Sequence, residues 1–392
     1  MRKTRPWYLL IVLLLSFSLA AAAACGGDDE EEAEPAPAPA PAAAQAQAEP
    51  EEQAEPEMAE PDDIKIVLQW VTQAQFAGYF AALDNGFYEE ENLNVEIQPG
   101  GPDILPVQLV AAGAAELAVQ PFAVLLSARD QGIDVVAVAQ VFERSAYRLV
   151  SWADSNIMSP EDWAGLKIGV WAGHEMVSAT INKYGLTEGG GEGQVELIGQ
   201  GFDMQLLLTR QVDMASAMIY NEFAQLIEAG NPVDDFRVVD FADHDTNTLE
   251  DALLARGEWL ADEANQDVVT RFLRASAKGW ALCADDPEAC VEIVLKYGPA
   301  LPRAHQTWMM NEINKLMWPS TKGWGVIDRT QAERTAGLML EYEVISEPAD
   351  LDSAYTNEFV EAALEGFSEA DRFRNDYTPL DLDVEDLLPE DG

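Results

Sequence analysis

A tryptophan and two glutamines stand close together in the stretch LQWVTQAQF, residues 68–76. The indole of Trp70 offers a flat apolar face, while the amides of Gln73 and Gln75 offer hydrogen-bond donors and acceptors. This combination suits a planar heteroaromatic ligand, for which stacking adds about 0.5–1.5 kcal/mol beyond burial. The alternative is that Trp70 only fills an interface between two parts of the fold.

Comparable side chains follow four other apolar runs of the sequence, at 99–103, 120–122, 171–175 and 220–222. Aromatic, amide and carboxylate groups occur there with glycines, and none of the five stretches contains a lysine or an arginine. Trp171 occupies the place in the second half of the chain that corresponds to Trp70, which favours a ligand held between two lobes. The candidate ligand-binding residues are Trp70, Gln73, Gln75, Phe76, Gln120, Pro121, Trp171, Gly173, His174, Glu175, Tyr220, Asn221 and Glu222.

The charges in these stretches indicate which ligand they would accept. Asp103, Glu175 and Glu222 would oppose an anion, so a neutral or weakly basic ligand is favoured. Glu222 is suited to accept a hydrogen bond from an exocyclic amine; the alternative is a solvated position in the first turn of a helix. His174 either contacts the ligand or caps and packs locally, and Gly173 permits a close approach of the backbone.

Short apolar runs alternate with amphipathic stretches from residue 64 onward, a pattern typical of parallel strands covered by helices. The pattern occurs twice and gives way to several helices after residue 246. We expect these helices to return to the first unit, so that lobe 1 comprises 64–154 and 246–370 and lobe 2 comprises 155–245. Crossovers near 150 and 246 would then leave a cleft at the carboxyl ends of the strands.

The start of the chain predicts export. Residues 1–24 have the basic start, apolar core and small-residue site of a signal peptide. Cys25 is expected to carry a lipid, with ordinary cleavage or an uncleaved anchor as the alternatives. The Ala, Pro and Glu of 25–63 predict an extended, disordered tether, and 371–392 predict an acidic tail.

Composition and motifs exclude several classes of function. The chain of 392 residues has 70 acidic and 23 basic residues and a net charge of −47, so nucleic acid and anionic membrane surfaces are unsuitable partners. Motifs of serine hydrolases, zinc proteases and phosphate loops are missing from the sequence, and neither a metal nor a cofactor is predicted. Cys283 and Cys290 are expected to form a structural disulfide in an oxidising compartment.

Several long motifs occur in order: DNGFYEEENLNVEI, GGPDILPVQLVAAGAAELAV, SARDQGIDVVAVA and SPEDWAGLKIGV. Through them the chain, over roughly residues 64–367, resembles the solute-binding proteins of ABC importers that deliver thiamine pyrimidine precursors. That family also contains the fungal thiamine pyrimidine synthase. The resemblance implies an α/β, periplasmic-binding-protein-like fold, in which two lobes with parallel-rich sheets close on a ligand. It also implies an ABC permease and its ATPase as partners.

The resemblance also bears on catalysis. The synthase branch uses a pocket lysine, a histidine that is consumed and a cysteine-rich iron-binding run. The matching positions here are Gln120, Val124 and the cysteine-free segment DTNTLEDALL, so the resemblance implies a binding protein and not an enzyme. The stacking aromatic and the hinge carboxylate of the pyrimidine binders carry over to Trp70, and to Tyr220 and Glu222.

The resulting hypothesis is a monomeric, lipid-anchored, extracytoplasmic protein that captures hydroxymethylpyrimidine or formylaminopyrimidine for an importer. Riboflavin is the alternative ligand, because a close branch of the family is linked to it. A sensor or scaffold that uses the same fold without transport is a further alternative.

Overall fold

The computed structural model describes residues 60–171 and 173–382. The signal peptide (1–24), Cys25, the tether up to residue 59 and the end of the acidic tail (383–392) lie outside the described residues. Of the helices in the described ranges, none combines the length and the apolar character needed to cross a bilayer.

Within the described residues, ten strands form two five-stranded sheets. The first sheet has the order β2-β1-β3-β10-β4, and the second has the order β7-β6-β8-β5-β9. The strands are β1 (Asp62–Val67), β2 (Leu93–Gln98), β3 (Leu117–Gln120), β4 (Val135–Gln140), β5 (Tyr147–Trp152), β6 (Lys167–Val170), β7 (Glu196–Gly199), β8 (Met214–Met218), β9 (Phe236–Asp240) and β10 (Ala252–Arg256).

The two sheets repeat one plan. Three strands of each pair in parallel, β2-β1-β3 in the first sheet and β7-β6-β8 in the second. One strand next to a crossover, β10 in the first sheet and β5 in the second, is antiparallel to both of its neighbours. The chain crosses to the second sheet through 141–146 and returns through 241–251.

The first crossover differs from the sequence-based expectation. The boundary at 154 assigns 147–152 to lobe 1, whereas these residues form β5 and pair with β8 and β9 of the second sheet. The physical reason is long-range: β5 finds its partners about 60 to 90 residues further along the chain, so a local pattern cannot assign it to a sheet. The division of the remaining chain into lobes stays a prediction.

Helices cover both faces of the sheets, which explains why the strands read as nearly continuous apolar runs. Successive residues of a strand point to opposite faces, and Ile66 and Val67 of β1 are both fully buried, each in a different hydrophobic cluster. The helices are α1 (Ala77–Asp84), α2 (Phe87–Glu90), α3 (Pro106–Ala111), α4 (Phe122–Asp130), α5 (Glu175–Lys183), α6 (Gln205–Leu208), α7 (Glu222–Glu228), α8 (Gly257–Leu260), α9 (Glu263–Asp285), α10 (Pro287–Tyr297), α11 (Arg303–Met317), α12 (Arg329–Glu341), α13 (Leu351–Ala354), α14 (Glu358–Ala363) and α15 (Glu369–Phe373).

The helices after β10 pack mainly on the strands and helices of the first sheet. Helix α9 lies against α1, where a Cβ at Gly279 would come within 2.1 Å of the Gly78 carbonyl oxygen. A disulfide between Cys283 and Cys290 joins α9 to α10. Two helices also reach the second half of the fold, because α11 contacts α7 and α12 contacts α5.

Candidate functional site

A cavity of about 430 Å³ opens where the carboxyl ends of strands from both sheets face each other. Its lining comes from the ends of β1, β2 and β3 on one side and of β6, β7 and β8 on the other. None of the described residues that line it is a lysine or an arginine. The lining residues are Gln69, Trp70, Gln73, Gln75, Gly101, Pro102, Leu105, Gln120, Pro121, Val124, Trp171, Phe202, Met218, Tyr220, Asn221 and Glu222.

The structure brings together most of the residues that the sequence selects. These residues line the cavity, although their role in ligand binding stays a prediction: Trp70, Gln73, Gln75, Gln120, Pro121, Trp171, Tyr220, Asn221 and Glu222.

Four candidates from the sequence do not line the cavity. Phe76 is fully buried in the first hydrophobic cluster, because it leads into the core-facing helix α1. Gly173, His174 and Glu175 follow Trp171 but are not among the lining residues. The imidazole Nδ1 of His174 lies 3.0 Å from the Trp171 carbonyl oxygen, which is a local contact. The alternative of a locally packing histidine fits this geometry.

The first-sheet side presents a connected set of amides. Gln73 Nε2 donates to Gln75 Oε1 at 2.7 Å, and Gln75 Nε2 donates to the two carboxylate oxygens of Asp251 at 3.2 and 3.0 Å. Gln69 Nε2 also donates to Asp251. The backbone at Ala74 is held by Gln306, whose Oε1 accepts from Ala74 N at 2.7 Å. The two glutamines that the sequence selects are therefore pre-positioned.

Two adjacent carboxyl groups in the return crossover support this side. Burial raises the pKa of Asp251 to about 8, an effect that hydrogen bonding from Gln75 opposes and that the charge of Glu250 increases. Burial also raises the pKa of Glu250, whose oxygens accept from Ser145 Oγ at 2.7 Å and from Ala146 N at 2.8 Å. Glu250 thereby ties the return crossover to the outgoing one.

The second-sheet side presents one carboxylate with fixed partners. Glu222 Oε2 accepts from Met218 N at 3.0 Å, and Oε1 accepts from Asn221 Nδ2 at 2.7 Å. Asn221 Oδ1 lies 2.9 Å from His305 Nε2, and His305 Nδ1 lies 2.8 Å from a carboxylate oxygen of Glu228. Burial raises the pKa of Glu222, while these hydrogen bonds oppose that shift.

Aromatic rings form a series across the cavity. The ring centroid of Phe202 is 4.8 Å from that of Trp70 and 6.1 Å from that of Trp171, and Trp171 stacks on Tyr147 at 5.4 Å. Trp171 Nε1 donates to the Gly201 carbonyl at 2.9 Å and so positions the loop that carries Phe202. Phe202 is 54% exposed, so part of its ring is open to solvent between the two indoles.

Sequence reasoning missed Phe202, Gln69, Leu105 and Met218 as lining residues. A signal for Phe202 was present, since it follows the apolar run of β7 and thus obeys the same strand-end rule as Trp70. Gln69 precedes Trp70 directly and could have been included with it. The arrangement as a whole offers flat apolar surfaces with amide and carboxylate hydrogen-bonding groups. Among the described residues, no cluster of side chains is suited to hold a metal ion.

Comparison with known proteins gives a consistent result. The formylaminopyrimidine-binding protein of Halalkalibacterium halodurans is 27% identical over 237 residues, which cover 60% of this chain and 70% of that protein. The riboflavin-binding protein RibY of Chloroflexus aurantiacus is 26% identical over 312 residues, which cover 76% of this chain and 86% of that protein.

Solved structures confirm the predicted periplasmic-binding-protein-like α/β fold. The periplasmic aliphatic sulphonate binding protein SsuA from Escherichia coli has a TM-score of 0.59 at 16% identity, covering 75% of this chain and 92% of that one. The desulfurization enzyme DSZB has a TM-score of 0.52 at 16% identity, covering 78% and 99%. At this level of identity the likeness shows the fold alone.

The model of the family described as NMT1/THI5 like matches residues 73–290, more than half of the chain. The two named relatives are binding proteins, and together with the fold they fit a solute-binding role. The resemblance drawn from the sequence motifs is thereby confirmed: the chain belongs to the NMT1/THI5-like family.

Proposed function

We propose that this protein is the extracytoplasmic solute-binding component of an ABC importer and captures a neutral, planar pyrimidine precursor of thiamine, either formylaminopyrimidine or hydroxymethylpyrimidine. The observation that carries the proposal is the cavity itself. Trp70, Phe202 and Trp171 supply flat apolar surfaces, while Gln73 and Glu222 supply hydrogen-bonding groups from opposite sides. The likeness to the formylaminopyrimidine-binding protein supports this ligand class.

The lining disfavours an anionic ligand such as a sulfonate. Among the described lining residues the only ionisable side chains are Tyr220 and Glu222, and burial raises the pKa of both. A bound anion would therefore meet no cation and would lie near a carboxyl group. An aminopyrimidine instead offers N–H groups that can donate hydrogen bonds to Glu222, and a ring that can stack on the indoles.

Riboflavin is the second candidate ligand. The observation in its favour is that the riboflavin-binding relative aligns with 76% of this chain, against 60% for the formylaminopyrimidine-binding relative. The series of three aromatic rings also suits a larger fused ring system. Both ligands have neutral, planar ring systems, so the lack of a lysine or arginine among the described lining residues suits either one.

The proposal includes a binding role without catalysis, with an ABC permease and its ATPase as partners. Gln120 and Val124 stand where the synthase branch has its reactive lysine and histidine, and both line the cavity here. Export, the lipid on Cys25 and a monomeric state belong to the same proposal. Labelling of the expressed full chain with a palmitate analogue, compared with Cys25→Ser, tests the lipid.

The ligand is tested by titrating the purified protein with formylaminopyrimidine, hydroxymethylpyrimidine, riboflavin and an alkanesulfonate. Binding of a pyrimidine should quench tryptophan emission and give saturable heat in calorimetry. A yellow protein that releases a flavin on denaturation would select riboflavin instead. Tight binding of the sulfonate, or no binding of any of the three neutral compounds, would contradict the proposal.

A further inference from the structure

A chain of side-chain amides connects the buried Asp251 to the cavity. Asp251 is 2% exposed and is not among the lining residues, so it has no direct contact with the cavity. Asp251 accepts hydrogen bonds from the side-chain amides of Gln69 and Gln75. Gln75 Oε1 in turn accepts a hydrogen bond from Gln73 Nε2 at 2.7 Å. All three glutamines line the cavity, and Gln73 is the one that is separated from Asp251 by another amide, that of Gln75.

The chemistry of Asp251 determines which way each glutamine amide in this hydrogen-bonded series is turned. Both carboxylate oxygens of Asp251 face side-chain N–H groups of Gln69 or Gln75, and once ionised the carboxylate accepts hydrogen bonds and donates none. Gln75 must therefore turn its NH₂ group toward Asp251 and its carbonyl toward Gln73, and Gln73 must turn its NH₂ group toward Gln75. Among the described residues no group donates to Gln73 Oε1, so a carbonyl acceptor remains available at the cavity wall.

We infer that Asp251 is a positioning residue that sets the donor and acceptor polarity of the Gln73 amide and thereby selects the ligand. This inference rests on the proposed function and adds a specific feature to it. The ligand carries an N–H or NH₂ group on the edge that faces Gln73. The reversed amide would present NH₂ there and would favour a ligand with a carbonyl or an unprotonated ring nitrogen at that edge.

The backbone at Asp251 allows a conservative test. Its φ angle is +53°, in the left-handed region that aspartate and asparagine tolerate better than other non-glycine residues. Asp251→Asn keeps the shape but converts one terminal atom into an NH₂ donor. Gln75 Nε2 lies within 3.2 Å of both carboxylate oxygens, so either orientation of the new amide places a donor against it. Reversal of Gln75, and then of Gln73, relieves that conflict.

The binding test is a double-mutant cycle with formylaminopyrimidine, measured by calorimetry at about pH 9, above the pKa of Asp251. Asp251→Asn should weaken binding about tenfold in the wild-type background, the effect of one hydrogen bond. In the Gln73→Met background, which lacks the amide, the same change should weaken binding less than about twofold. Equal weakening in both backgrounds, or none in the wild type, would overturn the inference.

A ligand-free measurement separates this inference from the proposed function. In protein with ¹⁵N-labelled glutamine, the side-chain NH₂ signal of Gln73 is assigned by its loss in Gln73→Met. That signal should move in Asp251→Asn and in Gln75→Met, although residue 251 does not contact Gln73. If wild-type protein binds none of the pyrimidines, the proposed function fails and the Gln73 signal still decides the positioning role. An unchanged Gln73 signal in Asp251→Asn would overturn that role whatever the binding result.

Discussion

Replacing Trp70 by alanine removes the indole that forms the first-sheet wall of the cavity. Trp70 follows β1, and its backbone carbonyl accepts from Gly100 N at 2.8 Å, so the backbone stays anchored when the side chain is truncated. The indole is only partly buried and packs on Phe202, which is itself exposed. The substitution should therefore affect binding far more than folding.

The expected loss of affinity follows from the stacking that the indole provides. Stacking of a nucleobase-sized ring on an aromatic side chain contributes about 1–3 kcal/mol, as measured by truncation to alanine. At about 1.4 kcal/mol for each factor of ten, Trp70→Ala should weaken pyrimidine binding by about 5- to 150-fold. Trp70→Phe keeps a smaller ring and should fall between the wild type and the alanine variant.

Calorimetric titration with formylaminopyrimidine measures this loss, and thermal unfolding checks the fold. Trp152→Ala is the matched control, because Trp152 is also half-buried and packs on a phenylalanine, Phe236, at 4.8 Å, but does not line the cavity. The control should keep its affinity within about twofold. A folded Trp70→Ala protein with wild-type affinity would refute the stacking wall, and equal losses in both variants would point to general destabilisation instead.

Three further predictions concern a carboxylate, pH and the disulfide. Glu222→Gln should weaken binding of formylaminopyrimidine by about 10- to 150-fold, the effect of losing a hydrogen bond to a charged group. Because both Glu222 oxygens accept from donors, Met218 N and Asn221 Nδ2, the new NH₂ group would face one of them, and the unfolding temperature should fall slightly. Binding that weakens only as far as the fold is lost would indicate a structural role. Burial raises the pKa of Asp251 from 3.8 to about 8, so the folded state holds this proton more tightly than the unfolded state. The free energy of unfolding should accordingly fall as pH rises from about 4 to about 8, and urea titrations should show a smaller fall for Asp251→Asn. Equal falls in the wild type and the variant would contradict a raised pKa at Asp251. Replacing Cys283 and Cys290 by alanine opens a short loop between α9 and α10 and should lower the free energy of unfolding by about 2–3 kcal/mol without weakening binding. An unchanged denaturation midpoint would show that the bond contributes nothing.

Sequence reasoning found much of the cavity because of one topological rule. Parallel strands of one sheet end at the same edge, so the residues after β1 and β3 lie together at one edge, and those after β6 and β8 lie together at another. The rule fails for a residue such as Phe76, which lies in a strand-end loop by sequence but already belongs to the buried start of a helix. Position after a strand therefore predicts proximity to the cavity but not the direction of a side chain.

The sequence by itself determined the α/β class, because the spacing of apolar residues distinguishes strands from helices without reference to distant partners. It also determined that the strand-end loops carry aromatic rings and amides but no cation, which favours the neutral or weakly basic ligand that we propose. Only the tertiary structure decided that Asp251 holds Gln75, 176 residues away, and that Phe202 lies between Trp70 and Trp171. Such contacts depend on how the two sheets and their crossovers are placed relative to each other, and that placement is set by packing across the whole chain.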